Sequence, residues 1–245
     1  MDTLSPIEAT LAGPLCWRAT LSRDPAVPFS DPVAEELVET LGIESPPLLG
    51  QTWMTDVLTR RVQTLDQLVG GLLEREPDVL LVNVGAGLCT RKFRLPEPQN
   101  QWVDLDSPPV IALRRKLLAD REPKSRFLAG QLEDDGWVRY LRWAPGEPIA
   151  FVAEGVLGYL PERDVRLFVE RIAEGCPGAH IIFDTCSPGF AERLNAFHKE
   201  HATGVRLRWA PVEPTAVRTW HRHLLVSSVQ LLGPGTSVVH VRARR

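Results

Sequence analysis

The chain has 245 residues, 44% of them hydrophobic, which is enough for one large domain with a sizeable core. Its formal net charge of −3 leaves no basic excess to attract nucleic acid, and no apolar run approaches the ~20 residues that cross a bilayer. The four cysteines form no C-x-x-C pair, so neither a disulfide framework nor a zinc knuckle is expected. Cysteines of this kind, and the lack of a signal-peptide pattern, predict a cytoplasmic protein without a bound metal.

The first third of the sequence is predicted to be helical. Asp31 followed by Pro32 is typical of a helix N-terminus and Gly42 of a helix end, so a helix is predicted over 32–41. Apolar residues then recur at helical spacing, which predicts a long amphipathic helix over 52–75.

Strands and helices alternate in the sequence that follows. Residues 78–84 (DVLLVNV) form a continuous aliphatic run, typical of a strand buried on both faces. Further strands are predicted at 101–105, 126–129, 149–153 and 180–183, and helices at 109–119, 134–142, 161–175 and 189–201. This alternation predicts a doubly wound α/β fold with a parallel, Rossmann-like sheet, in which ligands lie at the carboxyl ends of the strands.

The last part of the sequence predicts an antiparallel addition to this sheet. The segments 224–232 and 237–242 flank Gly233-Pro234-Gly235 and can pair as a hairpin. We divide the chain into an N-terminal helical cap over 1–76, part of the same domain, and a ligand-binding α/β core over 77–245.

A glycine turn follows the first strand. Gly85 and Gly87 let the backbone turn sharply and approach a ligand closely, although a plain tight turn explains the pair equally well. A dinucleotide-binding turn would carry a third glycine where Thr90 stands, and no P-loop lysine follows. The turn therefore favours a nucleoside ligand without a pyrophosphate.

Charged side chains stand at the neighbouring strand ends. Asp106, after the second strand, can accept hydrogen bonds from ribose hydroxyls or, like Ser107, cap the next helix. Glu154 ends a buried strand and needs a cation, which either a ligand ammonium or a structural arginine supplies. Arg60 and Arg61 could clamp a ligand carboxylate or lie at the surface. Together these groups describe a zwitterionic nucleoside, and S-adenosylmethionine is such a ligand.

Four motifs in order resemble the leucine carboxyl methyltransferase family: Arg61…Asp66, NVGAGLCTRKFRL at 83–95, WVDLDSPPVI at 102–111 and AEGVLGYLPE at 153–162. This family includes the protein phosphatase methyltransferases and the tetracenomycin-type polyketide carboxyl methyltransferases. The resemblance extends from about residue 9 onward and is to the bacterial branch. It implies a class I methyltransferase fold and S-adenosylmethionine as the cofactor.

The resemblance implies roles for the charged residues at the strand ends. Arg61 is expected to hold the methionyl carboxylate, and Glu154 with the adjacent Gly155 to receive the methionyl amine. Asp106 is expected to bind the ribose, with Asp104 as a second acceptor.

It also implies where the rest of the cofactor lies. The turn of Gly85, Ala86 and Gly87 is expected to line the cofactor, and Gln131 and Leu132 to lie beside its adenine. Glutamine replaces the family's usual aspartate there and can still hydrogen-bond an adenine amino group.

Two other positions bear on catalysis. Tyr159 is expected to face the transferred methyl group and the acceptor, and it is the candidate catalytic residue. Cys89 replaces the aspartate of the family's usual G-A-G-L-D-T-R run, which removes a charge near the cofactor turn.

The acceptor is expected to be a carboxylate or an acidic hydroxyl of a small molecule, as in natural-product biosynthesis. A carboxylate is already ionised and needs no base, so it is favoured over a phenol. No role is assigned to four histidines in the part of the sequence whose pattern is least clear, which are His198, His201, His221 and His223. An aromatic wall for a flat or apolar acceptor is expected from Trp17, Trp53, Trp209 and Trp220.

Other readings of the same sequence remain open. A protein C-terminal carboxyl methyltransferase and a cofactor-binding protein without turnover both fit, the latter because of Cys89. A nucleic-acid methyltransferase is disfavoured because E-G-V-L stands where base amino methylation uses D/N-P-P-Y/F. A nicotinamide-dependent oxidoreductase is disfavoured by Thr90. The oligomeric state is not predicted.

Overall fold

One sheet runs through the computed structural model, which describes residues 4–95, 102–121, 125–141 and 148–244. Its strands are β1 (Leu80–Val84), β2 (Trp102–Asp106), β3 (Ser125–Ala129), β4 (Ile149–Ala153), β5 (His180–Cys186), β6 (Leu224–Gly233) and β7 (Thr236–Ala243). The order across the sheet is β3-β2-β1-β4-β5-β7-β6. Position 101, the first residue of a predicted strand, and position 142, the last residue of a predicted helix, lie outside the described residues.

The pairing confirms the predicted doubly wound α/β architecture. The strands from β1 to β5 are parallel to one another, and the order reverses between β1 and β4. The predicted terminal hairpin is also present, because β7 runs antiparallel to both β6 and β5. The later strand of this hairpin, not the earlier one, lies next to β5.

Helices flank the sheet and lie within about two residues of the predicted bounds where a helix was predicted. They are α1 (Pro6–Ala9), α2 (Ala12–Arg23), α3 (Pro32–Leu41), α4 (Thr52–Arg75), α5 (Arg91–Arg94), α6 (Pro108–Leu118), α7 (Gly136–Leu141), α8 (Glu162–Gly175) and α9 (Pro188–Glu200). The α3 signals act as expected: the Asp31 side chain accepts from the Ala34 backbone N–H at 3.0 Å, and Gly42 ends the helix with φ at 58°. Among the described residues, no helix has the length and apolar character to cross a membrane.

The two faces of the sheet have different partners. Leu65, Val69 and Leu72 of α4 pack on one face, in a cluster that reaches β1, β2, β4 and β5. The opposite face carries an aromatic group in which the rings of Trp137 and Phe168 lie 5.4 Å apart. Helix α4 is thus a layer of the sheet, whereas α2 and α3 form a separate small cluster near the strand ends. The predicted division at residue 76 separates α4 from the strands on which it packs.

Two histidines meet at the amino-terminal side of β5. Nδ1 of His180 is 2.8 Å from Nε2 of His240, and Nε2 of His180 is 3.1 Å from a carboxylate oxygen of Glu76. Burial lowers the pKa of both imidazoles, and in His240 the nearby His180, Arg242 and Arg75 lower it further, to about 4. The folded protein therefore holds this pair neutral near neutral pH.

We expect this pair to make the fold sensitive to mild acid. The unfolded chain protonates His240 near pH 6.5, whereas the folded chain does so only at about pH 4. The free energy of unfolding should therefore be at its full value above pH 6.5 and fall as the pH drops toward 4. Urea unfolding across this range should show a smaller loss for His240→Gln than for the wild type. Equal losses in the two proteins would contradict the prediction.

Candidate active site

A cavity of about 630 Å³ opens at the carboxyl ends of β1, β2 and β4. Its floor consists of residues that end these strands or follow them, including Gly85, Asp106 and Glu154. Its walls come from residues 4–14, the turn at 46–49, the first half of α4 and the end of α9 with the chain beyond it. Its volume lies within the range of about 300–1,000 Å³ that is common for small-molecule sites.

The turn after β1 requires glycine for a steric reason. Gly85 has φ at 61°, and a Cβ atom there would lie 2.6 Å from the Val156 side chain. Gly87, with φ at 45°, donates its backbone N–H to Asp106 at 2.7 Å. The predicted turn of Gly85, Ala86 and Gly87 lines the cavity, and its conformation is fixed by contacts to both neighbouring strand ends.

Asp106 lies at the cavity floor with its carboxylate held in place. One oxygen accepts from Gly87 N and the other from Ser107 N, each at 2.7 Å. Burial raises the pKa of this carboxyl group. Each oxygen keeps a further lone pair for a ligand hydroxyl. The Ser107 hydroxyl donates to Glu8 of α1, which ties the N-terminal segment to this strand end.

The structure does not bring Asp104 into the cavity. The side chain is 1% exposed, accepts from Asn83 Nδ2 at 2.9 Å and faces Arg114 Nε at 3.0 Å. Arg114 also donates to the backbone oxygen of Cys89 at 2.8 Å. Asp104 thus supports the glycine turn from below, and its carboxylate is committed to that contact. The predicted role of a second ribose acceptor has no support in this arrangement.

Gln131 and Leu132 also lie outside the cavity lining. Gln131 is exposed and Leu132 is buried. They follow β3, whose end adjoins Asp106 through a hydrogen bond from Gly130 N to the Asp106 backbone oxygen at 2.9 Å. The structure therefore places them beside the carboxyl end of β2 without bringing them into the enclosed space.

Glu154 is held by two arginines. Its Oε1 accepts from Arg61 Nε at 3.2 Å and its Oε2 from Arg91 Nη2 at 2.5 Å. Burial alone would raise the pKa of Glu154, but the charges of Arg91 and Arg61 outweigh it and hold the pKa at about 2. The sequence allowed two kinds of cation beside Glu154, a ligand ammonium or a structural arginine. The structure shows two arginines there. Arg61 is buried, as its predicted role requires, whereas Arg60 is exposed.

These contacts belong to a larger cluster, which we call the buried ion-pair network. Arg91 also donates to Asp66 at 2.8 Å, Asp66 accepts from Arg94 at 2.8 Å, and Arg94 donates to Asp31 at 2.7 Å. The network joins four arginines and four carboxylates: Arg18, Arg61, Arg91, Arg94, Asp31, Asp66, Glu154 and Asp184. Its charges balance, which is the condition under which so many buried ions are tolerated.

Asp184 is a member of this network that the sequence did not single out. Its carboxylate accepts a hydrogen bond from Arg61 Nη1 at 3.3 Å and another from the Gly155 backbone N–H at 2.6 Å. The sequence did contain a signal for Asp184: it lies in the apolar strand β5, where burying an unpaired carboxylate would cost free energy. Arg91 likewise lies in the motif at 83–95, but the sequence assigned it no role.

Cys89 lines the cavity beside the network. Its Sγ lies 3.7 Å from Arg91 Nη1. An aspartate at this position, as in the family's usual motif, would add a fifth carboxylate beside the four arginines of the network.

Tyr159 lines the cavity near the same cluster. Burial raises the pKa of its phenol, so the hydroxyl stays protonated at neutral pH. The structure therefore places the predicted catalytic tyrosine at the cavity wall with its hydroxyl protonated.

The four tryptophans do not form the expected aromatic wall, and none of them lines the cavity. Trp209 is 2% exposed in the core, where Trp220 packs against it. Trp17 donates to Thr59, and Trp53 lies edge-to-face with Phe190. The apolar wall comes instead from leucines, prolines and Phe197.

Comparison with known proteins agrees with this geometry. The family model described as leucine carboxyl methyltransferase matches residues 12–173. The chain is 27% identical over 217 residues to tetracenomycin polyketide synthesis O-methyltransferase TcmP of Streptomyces glaucescens, which covers 88% of this chain and 79% of that protein.

Solved structures show the same fold at low identity. Magnesium protoporphyrin IX methyltransferase ChlM from Synechocystis PCC 6803 with bound SAH has a TM-score of 0.60 at 12% identity, covering 86% of this chain and 93% of that one. A duf574 family protein from Streptomyces avermitilis also has a TM-score of 0.60, at 13% identity, covering 93% and 96%. The fold and the family together define a methyltransferase that uses S-adenosylmethionine. Within this class, the chain belongs to the leucine carboxyl methyltransferase family.

Removing one arginine from the buried ion-pair network should be costly. Arg91 is 0% exposed, and Arg91→Met would leave Glu154 and Asp66 short of a cation, so we expect a loss of about 3–5 kcal/mol in the free energy of unfolding. Arg23 pairs with Glu35 and Glu39 at the surface, and Arg23→Met should cost at most about 1 kcal/mol. Denaturant unfolding measures both values, and similar losses for the two variants would refute a structural role of the network.

Proposed function

We propose that this protein transfers a methyl group from S-adenosylmethionine to an oxygen of a small molecule, either a carboxylate or an acidic hydroxyl. The observation that carries the proposal is the convergence of three groups on one cavity. Asp106, Arg61 and Glu154 all line it, and they offer a ribose acceptor, a cation and an anion. A zwitterionic nucleoside needs all three groups.

The residues present suit this cofactor. Asp106 would accept the ribose hydroxyls, and the glycine turn leaves the backbone of Gly85 and Gly87 open to close approach. Arg61 would take the methionyl carboxylate and Glu154 the amine. The amino-acid end of the cofactor carries one charge of each sign, so it adds no net charge to the balanced network.

Of the parts of the cofactor, the adenine has the fewest expected contacts in the enclosed cavity, because neither Gln131 nor Leu132 lines it. For it the proposal retains Gln131 and Leu132, which follow β3 next to Asp106. The Gln131 side chain is exposed and is therefore able to turn toward a bound base.

When bound, the cofactor supplies an electrophilic methyl group on a sulfonium. The chain itself has to hold this group in line with the acceptor oxygen and to exclude water. Residues 4–14 line the cavity opposite the strand ends, and Glu8 fastens this segment to Ser107. Tyr159 stays protonated and would donate a hydrogen bond that orients the acceptor oxygen.

The oxygen acceptor is supported by the family and by the cavity wall. The relative TcmP is named as an O-methyltransferase of polyketide synthesis. The walls away from the network consist largely of Leu, Pro and Phe side chains, which suit an apolar small molecule.

Arg61 and Arg60 provide a matched pair of variants for the cofactor assignment. Arg61→Ala should weaken binding of S-adenosylhomocysteine by roughly 2–4 kcal/mol, because the ligand carboxylate loses a buried charged partner. Arg60→Ala, at an exposed neighbouring position, should change it by no more than about 0.5 kcal/mol. Titration calorimetry gives both values, with thermal unfolding as the control for folding. No binding to the wild type would overturn the cofactor assignment.

The position of the transferred methyl group tests the acceptor class. Candidate acids and phenols incubated with methyl-labelled cofactor should carry the label on oxygen. Mild alkali then releases methanol from an ester and leaves an ether intact. Label on nitrogen or carbon alone would show that the acceptor class is wrong.

A further inference from the structure

A second carboxylate lines the cavity beside Asp106. Glu8 of α1 is among the lining residues, and its Oε1 accepts a hydrogen bond from Oγ of Ser107. The backbone N–H of the same serine donates to Oδ1 of Asp106 at 2.7 Å. Burial raises the pKa of Asp106, and the nearby charge of Glu8 contributes to that rise. Ser107 thus bridges two carboxylates that border the same end of the cavity.

Both carboxylates can accept further hydrogen bonds. Oε2 of Glu8 accepts from Ser5 N at 2.7 Å, so each of its oxygens holds one donor, as each oxygen of Asp106 does. A carboxylate oxygen has two lone-pair sites, which leaves one on each oxygen for a ligand. Burial alone would raise the pKa of Glu8, but hydrogen bonds from Ser107 and Ser5 outweigh it and lower the pKa. Glu8 is therefore ionised at neutral pH and only accepts hydrogen bonds.

The surroundings of this pair suit a neutral ligand with two hydroxyl groups. Within the described ranges of the chain, neither Glu8 nor Asp106 forms an ion pair, and no third metal-ligating side chain joins them. Two neighbouring acceptors without a paired cation are completed by two O–H donors, and a ribose supplies two on adjacent carbons. Asp104, the second ribose acceptor that the sequence predicts, is committed to Arg114 below the glycine turn.

We propose that Glu8 is a second ribose-binding residue, whose carboxylate accepts one hydroxyl of the bound cofactor while Asp106 accepts the other. This inference rests on the proposed function, which assigns the ribose to Asp106. It transfers the role predicted for Asp104 from the core to the N-terminal cap.

The contact links the cofactor to the wall that the acceptor meets. Residues 4–14 line the cavity, and Thr10 of this segment lies beside Tyr159. A ribose hydroxyl bound to Glu8 holds the segment two residues away from this contact. Cofactor binding thereby keeps the N-terminal segment against the candidate catalytic tyrosine.

Three variants and three ligands test the proposal. Glu8→Gln keeps the length of the side chain and the oxygen that caps Ser5, but it removes the charge. Ser107→Ala removes the hydroxyl that fastens Glu8 and keeps both carboxylates. Glu36→Gln is the matched control, because Glu36 pairs with Arg121 at the surface. The ligands are S-adenosylhomocysteine and its 2′-deoxy and 3′-deoxy analogues, titrated by calorimetry, with thermal unfolding as the control for folding.

We expect Glu8→Gln to weaken S-adenosylhomocysteine about tenfold, because a charge-assisted hydrogen bond becomes a neutral one. One of the two deoxy analogues lacks the hydroxyl that Glu8 accepts, and its affinity should change by less than about twofold in this variant. Ser107→Ala should weaken all three ligands by a similar factor, since it loosens the segment without removing a ribose acceptor. Glu36→Gln should match the wild type with every ligand.

Hydrogen exchange of the backbone amides of residues 5–11 provides a readout without turnover. S-adenosylhomocysteine should slow this exchange in the wild type and slow it less in Glu8→Gln. The proposal is overturned if Glu8→Gln weakens all three ligands equally, if it weakens none of them, or if the cofactor product leaves the exchange of the wild type unchanged. Failure of the wild type to bind S-adenosylhomocysteine at all would instead overturn the proposed function.

Discussion

The ion pair between Glu154 and its two arginines connects three of the elements that border the cavity. Glu154 follows β4, Arg61 belongs to α4, and Arg91 begins the short helix after the glycine turn. A buried carboxylate is tolerated only while its cations are in place, so each of these elements is held at the distance that the ion pairs require. The shape of the cavity floor is therefore set by electrostatics as much as by packing.

The same dependence reaches the N-terminal helices. Asp31, at the start of α3, is 0% exposed and neutralises Arg18 and Arg94, and Arg94 in turn holds Asp66 of α4. A core over 77–245 without its cap would leave Arg91 without Asp66, and Arg94 without Asp66 and Asp31. The cap thus contributes to the stability of the floor as well as to enclosing the cavity, and the division at residue 76 within one domain stays a prediction.

The elements of the fold were predictable from the sequence because their signals are local. Apolar runs, helical spacing and residues such as Asp31 and Gly42 locate the predicted strands and helices to within about three residues. The placement of β7 between β5 and β6 was not predictable from the sequence, because it depends on pairing between distant segments. In the site, position at a strand end identified Asp106 and Glu154. Asp104 has the same residue type two positions earlier, and only its distant partner Arg114 shows that it supports the turn.

The insertion of β7 between β5 and β6 has a consequence for how the protein is made. The ribosome produces β5 and β6 before it produces residues 236–243, yet β5 has no partner on that side until they emerge. Until then β5 presents an open, apolar edge, which is a site for mispairing with other chains. Folding of the sheet is thus completed only after residues 236–243 have emerged, and demand for chaperones should be concentrated in the interval when β5 is out of the exit tunnel and β7 is still inside it.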